Sequence, residues 1–361
     1  MKKTIVALAV AAVAATSANA ATVYNQDGTK VDVNGSLRLI LKKEKNERGD
    51  LVDNGSRVSF KASHDLGEGL SALAYTELRF SKNVPVQVKD QQGEVVREYE
   101  VEKLGNNVHV KRLYAGFAYE GLGTLTFGNQ LTIGDDVGLS DYTYFNSGIN
   151  NLLFTSGEKA INFKSAEFNG FTFGGAYVFS ADADKQALRD GRGFVVAGLY
   201  NRKMGDVGFA FEAGYSQKYV KQEVEQAQAP KVFLPPGQVE RFKDEKEKAF
   251  MVGAELSYAG LALGVDYAQS KVTNVDGKKR ALEVGLNYDL NDRAKVYTDF
   301  IWEKEGPKGD VTRNRTVAVG FGYKLHKQVE TFVEAAWGRE KDSDGVTTKN
   351  NVVGTGLRVH F

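Results

Sequence analysis

The chain of 361 residues contains no cysteine. That excludes a disulfide framework and thiolate metal ligation together. Its four histidines, His64, His109, His326 and His360, are scattered without ligand spacing, so no metal site is expected. "DADKQALRDGRG" opens like a calcium loop, but its twelfth position is Gly193 where a bidentate Glu is needed. No G-x-S-x-G element or phosphate loop occurs, and neither an enzymatic centre nor a cofactor is expected. Basic and acidic residues nearly cancel, 47 against 46, which gives no footing for a nucleic-acid partner. No stretch beyond the N-terminus is apolar for the ~20 residues a helix needs to cross a bilayer.

The N-terminus itself reads as a secretory signal. "MKKTIVALAVAAVAATSANA" places Lys2 and Lys3 before an apolar run from Ile5 to Ala15, then Ala18-Asn19-Ala20 as a small-residue cleavage site. A membrane anchor is the other reading, but the run is too short to span. Cleavage after Ala20 removes two lysines and turns the formal charge from +1 to -1. An exported chain without spanning helices is either soluble or crosses a membrane as strands. A mean hydropathy of -0.36 does not decide between them, because a wet barrel averages lipid-facing and water-facing residues.

What the chain does have is alternation. In "KAFMVGAELSY" Phe250, Val252, Ala254, Leu256 and Tyr258 point one way, and Met251, Gly253, Glu255 and Ser257 the other. "ALEVGLNYDL" and "TVAVGFGYKL" repeat the pattern, with Gly and charge opposite the apolar face. A period of two is that of a strand, and the polar faces suit a wide wet interior. Strands expected to run in one direction end on Tyr119, Tyr258, Tyr288, Tyr323 and Phe361, a girdle at one interface. The last twelve residues, "NNVVGTGLRVHF", alternate in the same way up to the terminal Phe361.

Connections alternate in length. Short turns are expected at 67–69, 120–123, 169–170, 204–206, 259–260, 291–293 and 326–328, and longer polar segments near 43–54, 83–105, 131–158, 182–190, 219–247, 272–277, 304–313 and 341–349. All five prolines fall in the long segments, where no ladder bond needs their missing N–H. Seven turns and eight loops separate sixteen strands, and an even number lets the last strand pair with the first. The expectation is an all-β protein, a 16-stranded antiparallel transmembrane barrel whose bore stays open to water.

These residues resemble a known family, the general trimeric porins of the Gram-negative outer membrane. The mature start "ATVYNQDGTKVDVNGSL", then "SRVSFKASHDLGEGL", "KRLYAGFAYEGLGTLTFGNQ" and the C-terminal Phe all carry the likeness, in the family's order. The resemblance implies a signal peptide over 1–20 and one porin barrel domain over 21–361, a multi-pass location in the outer membrane among its lipids, and a homotrimer with the loop 83–105 reaching over a neighbour. It implies passive diffusion of small hydrophilic solutes and ions. It also implies that the third extracellular loop, 131–158, folds inward to narrow the bore, and that Asp141 matches the family's constriction acid. Phe145 stands where a second acid is usual. Phe361 matches the aromatic that porins present to the outer-membrane assembly machinery.

The charges can also be read from the strands alone. The inward parity of the first four strands carries Arg38, Arg57, Lys61, Arg79 and Arg112, with Glu77 as exception, opposite a loop that carries Asp135, Asp136, Asp141 and Glu158 and no basic residue. Arg57 and Arg112 match the family's basic cluster in position, and Arg38 stands in for the first-strand basic position, which is Ser36. Later strands point Glu212, Glu255, Asp266, Glu283, Asp299, Glu330 and Glu334 inward, either as part of the bore or as solvated side chains. Two rival readings remain. One is a barrel that acts through its surface loops as an adhesin or receptor, which the long segment 219–247 favours. The other is a membrane-embedded hydrolase, which needs Ser and His together at one strand end.

Overall fold

The computed structural model describes residues 20–361 except 81, 90–94, 104–107, 147, 150, 181–190, 223–242, 274–275 and 308. The expected signal segment, apart from Ala20, lies outside the described residues, as do the loop at 182–190 and most of that at 219–247.

The wall runs through β1 (Thr29–Glu44), β2 (Arg57–Gly67), β3 (Leu70–Arg79), β4 (His109–Tyr119), β5 (Gly123–Leu131), β6 (Ser156–Ser165), β7 (Phe171–Ser180) and β8 (Gly193–Met204). It continues through β9 (Val207–Gln222), β10 (Lys243–Tyr258), β11 (Leu261–Val272), β12 (Lys279–Asn291), β13 (Ala294–Glu305), β14 (Thr312–His326), β15 (Val329–Lys341) and β16 (Thr347–His360). Each pairs antiparallel with the next, and β16 pairs back onto β1, Val359 beside Leu37 and Thr355 beside Leu41. The sheet therefore closes and leaves no long edge, which is the condition for strands to cross a bilayer. A short strand, Ala21–Gln26, folds back on β1 by pairing Ala21 with Val33 and Gln26 with Thr29. It shares one edge of β1 with β16, and Phe361 fills the join through backbone bonds to Gly35 of 2.7 and 3.0 Å. The aromatic ring of Phe361 lies over Gly35, where a Cβ would come within 2.1 Å of it.

The alternation decides the two faces. Phe250, Val252, Leu256 and Tyr258 are exposed on the outside of β10, while Met251 between them is 2% exposed. The outer residues meet lipid and the inner ones the bore. The short connections fall where expected. At Asn169-Gly170 and Ala259-Gly260 both residues have positive φ, the tight turn whose twist matches that of the strands it joins. The long connections lie at the other end, and the second of them holds the hairpin of Lys82–Lys89 with Val95–Lys103.

One expectation changes. The glycines and small residues on the inner faces of the later strands do not line open water. Ile133, Val137, Ile149, Leu153 and Phe154, all from the connection between β5 and β6, pack against Ala176, Val195, Ala249, Ala268 and Ala281 of the wall to form an apolar core. Glycine makes room for this contact: a Cβ at Gly264 would lie 2.4 Å from the Leu139 carbonyl oxygen, and at Gly285 1.8 Å from that of Ser140. Small inner side chains are what let a loop lie against the wall at backbone distance.

Candidate functional site

The connection between β5 and β6 begins with a single 3-10 turn, Ile133–Asp136, capped by the Thr132 hydroxyl, which accepts from the Gly134 amide at 3.2 Å. From there its backbone is fastened by wall carboxylates. Gly138 N donates to Glu212 at 2.8 Å on β9. Leu139 N, Ser140 N and Ser140 Oγ all donate to one oxygen of Asp266 on β11, at 2.8, 2.7 and 2.5 Å. Ile149 N donates to Glu283 on β12 at 3.0 Å. Glu334 on β15 accepts from Tyr144 N, Phe145 N, Asn146 N and Asn146 Nδ2 between 2.7 and 3.3 Å, and from the Tyr297 hydroxyl at 2.6 Å. Asp266, Glu283 and Glu334 are each 1% exposed. Loop amides have no strand partner of their own, and a buried carboxylate is a strong multiple acceptor, so each satisfies the other. These acids are therefore anchors for the loop rather than free charges in the bore.

The basic residues expected on the early strands meet differently. Glu77, 3% exposed, sits among them and accepts from Arg79 Nε at 2.7 Å and Arg112 Nη1 at 2.9 Å, with Arg57 Nη1 at 3.9 Å. One carboxylate thus orders three guanidinium groups without cancelling them. Arg57 Nε also donates to the Gly55 carbonyl at 3.0 Å, and Arg38 Nε to Ser36 Oγ at 2.9 Å. In register, Arg57 lies beside Arg79 and Ser36, and Arg38 beside Arg358. Lys61 stands apart: it pairs in register with Asp32 and Tyr75, four residues and roughly 13 Å along the strand from Arg57.

The loop acids keep most of their freedom. Asp136 forms an exposed ion pair with Lys164 at 2.8 Å. Asp141 accepts from Thr143 N at 2.9 Å and Gly148 N at 3.0 Å, shaping its own loop while remaining exposed. Asp135 is open to solvent yet surrounded by protein; burial pushes its carboxyl up and the charge of Arg112 opposes that shift. Glu158 belongs to β6.

Sequence reasoning missed Arg358 as part of the basic group. Its Nη2 donates to the Tyr144 carbonyl at 2.6 Å, and its guanidinium lies 4.6 Å from the Tyr144 ring centroid. The signal was available, since Arg358 shares the inward parity of β16. Asn54 Nδ2 meets the same carbonyl at 3.0 Å. Among the described residues no group of three or more metal-binding side chains is assembled.

A family model described as Gram-negative porin matches residues 7–343. The chain is 96% identical over 361 residues to a major outer membrane protein of Pasteurella multocida, with both covered in full. It is 82% identical over 362 residues to another protein so named from that species, again across the full length of both. Among solved structures, OmpT of Vibrio cholerae superposes with a TM-score of 0.69 at 19% identity, over 94% of this chain and 99% of that one. An anion-selective porin from Comamonas acidovorans gives 0.62 at 15% identity, over 92% and 100%. Those two likenesses speak for the fold, and the family match and the near-identical relatives for membership. A closed wall of sixteen strands with an apolar outside and a charged inside belongs in an outer membrane, and this chain belongs to the Gram-negative porin family, the channel-forming barrels of that membrane.

Proposed function

We propose that the bore passes small hydrophilic solutes and ions by diffusion through an eyelet, with Arg38, Arg57, Arg79 and Arg112 on one side and Asp135, Asp136 and Asp141 of the loop on the other. The observation that carries this reading is the asymmetry of the fastening. The loop is hydrogen-bonded to carboxylates of β9, β11, β12 and β15, while the arginines of β1 to β4 gather around Glu77. Opposed charges across a narrow, low-dielectric throat interact more strongly than in bulk water. They align water and dipolar solutes, so a polar solute passes and an apolar one must disrupt that order.

Three further expectations accompany it. Residues 1–20 act as a cleaved signal. The working unit is a homotrimer, which a trimer form of Vibrio cholerae OmpT supports by analogy. An outer-face cleft lined by Phe60, Ala62, Ala74, Leu113, Ala115 and Phe127 of β2 to β5 offers apolar surface for a neighbouring copy. Phe361 is read by the assembly machinery before insertion.

The test is conductance of purified protein in a planar bilayer. Arg57→Gln with Arg112→Gln should move the reversal potential toward cations and raise flux of bulkier solutes, with Arg79 left to hold Glu77. Asp141→Asn should move selectivity the other way. Unchanged selectivity in both variants would remove the eyelet assignment.

A further inference from the structure

Near the long-loop end of the barrel, charge is sorted by face. On the outer parity of β12 to β15, Arg280 lies beside Lys304, Lys304 beside Arg313 and Arg313 beside Lys341, one basic residue per strand in a single cross-strand row. Lys271 on β11 and Arg315 on β14 flank the row on the same face. Three acids at this level point inward and are engaged there: Glu305 pairs with Lys279 at 3.6 Å, Glu247 with Lys218 at 3.9 Å, and Glu303 accepts from Asn314 at 3.1 Å. Among the described residues, no carboxylate lies within ion-pair distance of the row.

Like charges directly opposite each other on adjacent strands repel. Four in succession, at strand spacings of about 4.8 Å, are disfavoured unless an anion lies over them. At the same end of the other flank, the apolar Val108, Val110, Tyr177 and Phe179 are exposed together with Lys111 and Lys159, which do not pair with each other across strands.

The position of the row narrows the choice of anion. Immediately toward the middle of the barrel, the same outer face carries Leu282, Phe300, Trp302, Val317 and Trp337. Trp302 and Trp337 are the only two tryptophans in the chain, and tryptophan concentrates where hydrocarbon meets headgroups. The row therefore stands at headgroup height above the lipid-facing band. A cleft of about 420 Å³ opens there, lined by Lys271, Lys278, Arg280, Lys304 and Arg313, with Asp276 as its one acid. Guanidinium and ammonium groups recognise phosphate strongly, arginine in bidentate fashion.

We propose that this outer-face row binds the phosphate groups of lipid headgroups in the outer leaflet. The site is separate from the bore, with its side chains on the opposite face of the wall from Arg57 and Arg112. A headgroup held there would fasten the barrel laterally to the lipid around it.

The test uses the full mature chain, refolded and placed in phosphatidylcholine nanodiscs, with diphosphorylated lipid A and its dephosphorylated form as probes in a native mass-spectrometric titration. The native protein should bind the diphosphorylated lipid at least tenfold more tightly. Combining Arg280→Gln, Lys304→Gln and Arg313→Gln should weaken that binding by roughly tenfold or more, whereas the inward pair Glu303→Gln with Glu305→Gln should leave it unchanged. If the triple variant does not refold, Lys304→Gln and Arg313→Gln singly should each weaken it several-fold. Retention of the phosphate preference in these variants would overturn the proposal. So would displacement of the lipid by millimolar inorganic phosphate, which would mark a site for soluble anions.

Discussion

Glu334→Gln is the sharpest perturbation available in the loop anchor. The carboxylate is 1% exposed and accepts five hydrogen bonds, three at Oε1 and two at Oε2. An amide keeps one acceptor oxygen and turns the other toward its donors as an NH2 group. The smaller possible loss is at Oε2, where Tyr144 N is the one donor from the loop and the Tyr297 hydroxyl belongs to the wall. A hydrogen bond to a charged group is worth ~1.5–3 kcal/mol, so the variant should lose about 1.5–3 kcal/mol of loop anchoring. At ~1.4 kcal/mol per tenfold, opening of residues 144–146 should become roughly tenfold to a hundredfold more frequent. Arg358 still holds the Tyr144 carbonyl at 2.6 Å, so the loop is loosened rather than released. Amide hydrogen exchange reads this directly, with faster exchange confined to the loop and channel noise rising in parallel. Unchanged exchange at Tyr144 and Asn146 in a folded variant would refute the anchor. Acceleration spread over the strands would show that Glu334 supports the wall instead.

Val252→Arg should cost ~2–4 kcal/mol if it lies near the bilayer midplane, read as the urea midpoint in liposomes; an unchanged midpoint would mean that this face does not meet lipid. The same substitution at Gly253 should loosen the loop, because a Cβ there would fall 2.2 Å from Asp266 Oδ1. Asp299 is wholly buried and has no well-formed hydrogen bond on either oxygen. Asp299→Asn should leave heat stability unchanged or raise it by about 1–3 kcal/mol, and a large loss would reveal a partner for the carboxyl group. Because the Asp135 carboxyl is raised, acidification should neutralise it before an ordinary carboxylate, so selectivity should begin to shift toward anions early and Asp135→Asn should flatten that part of the pH profile. Deleting Phe361 removes at most ~1.5–3 kcal/mol of burial. It should strongly reduce heat-resistant oligomer in cells yet leave detergent refolding largely intact, and equal losses in both would make the residue merely structural.

The wall was legible because its two signals are local. A period of two and a turn residue such as Gly170 or Gly260 need no knowledge of distant chain. The parity of Arg57 and Arg112 followed from the same rule. The purpose of Asp266, Glu283 and Glu334 did not, since each meets a loop segment more than a hundred residues away, and inward parity alone cannot distinguish an anchor from a solvated charge. Lys61 shows the complementary error: parity put it on the same face as Arg57, but height along the strand separates them. Arg358 was passed over because its neighbours in sequence are apolar, and only closure brings β16 beside β1.

That closure has a consequence for when the protein can exist as a channel. The first wall strand finds one of its two partners only in the sixteenth, and Phe361 completes the join. A partial chain therefore has two unsatisfied edges whatever its length, and unpaired strand edges invite pairing with other chains. Contacts so distant in sequence also form slowly. The bore is therefore closed only when the first and the last wall strands meet, whatever the order in which the hairpins between them form.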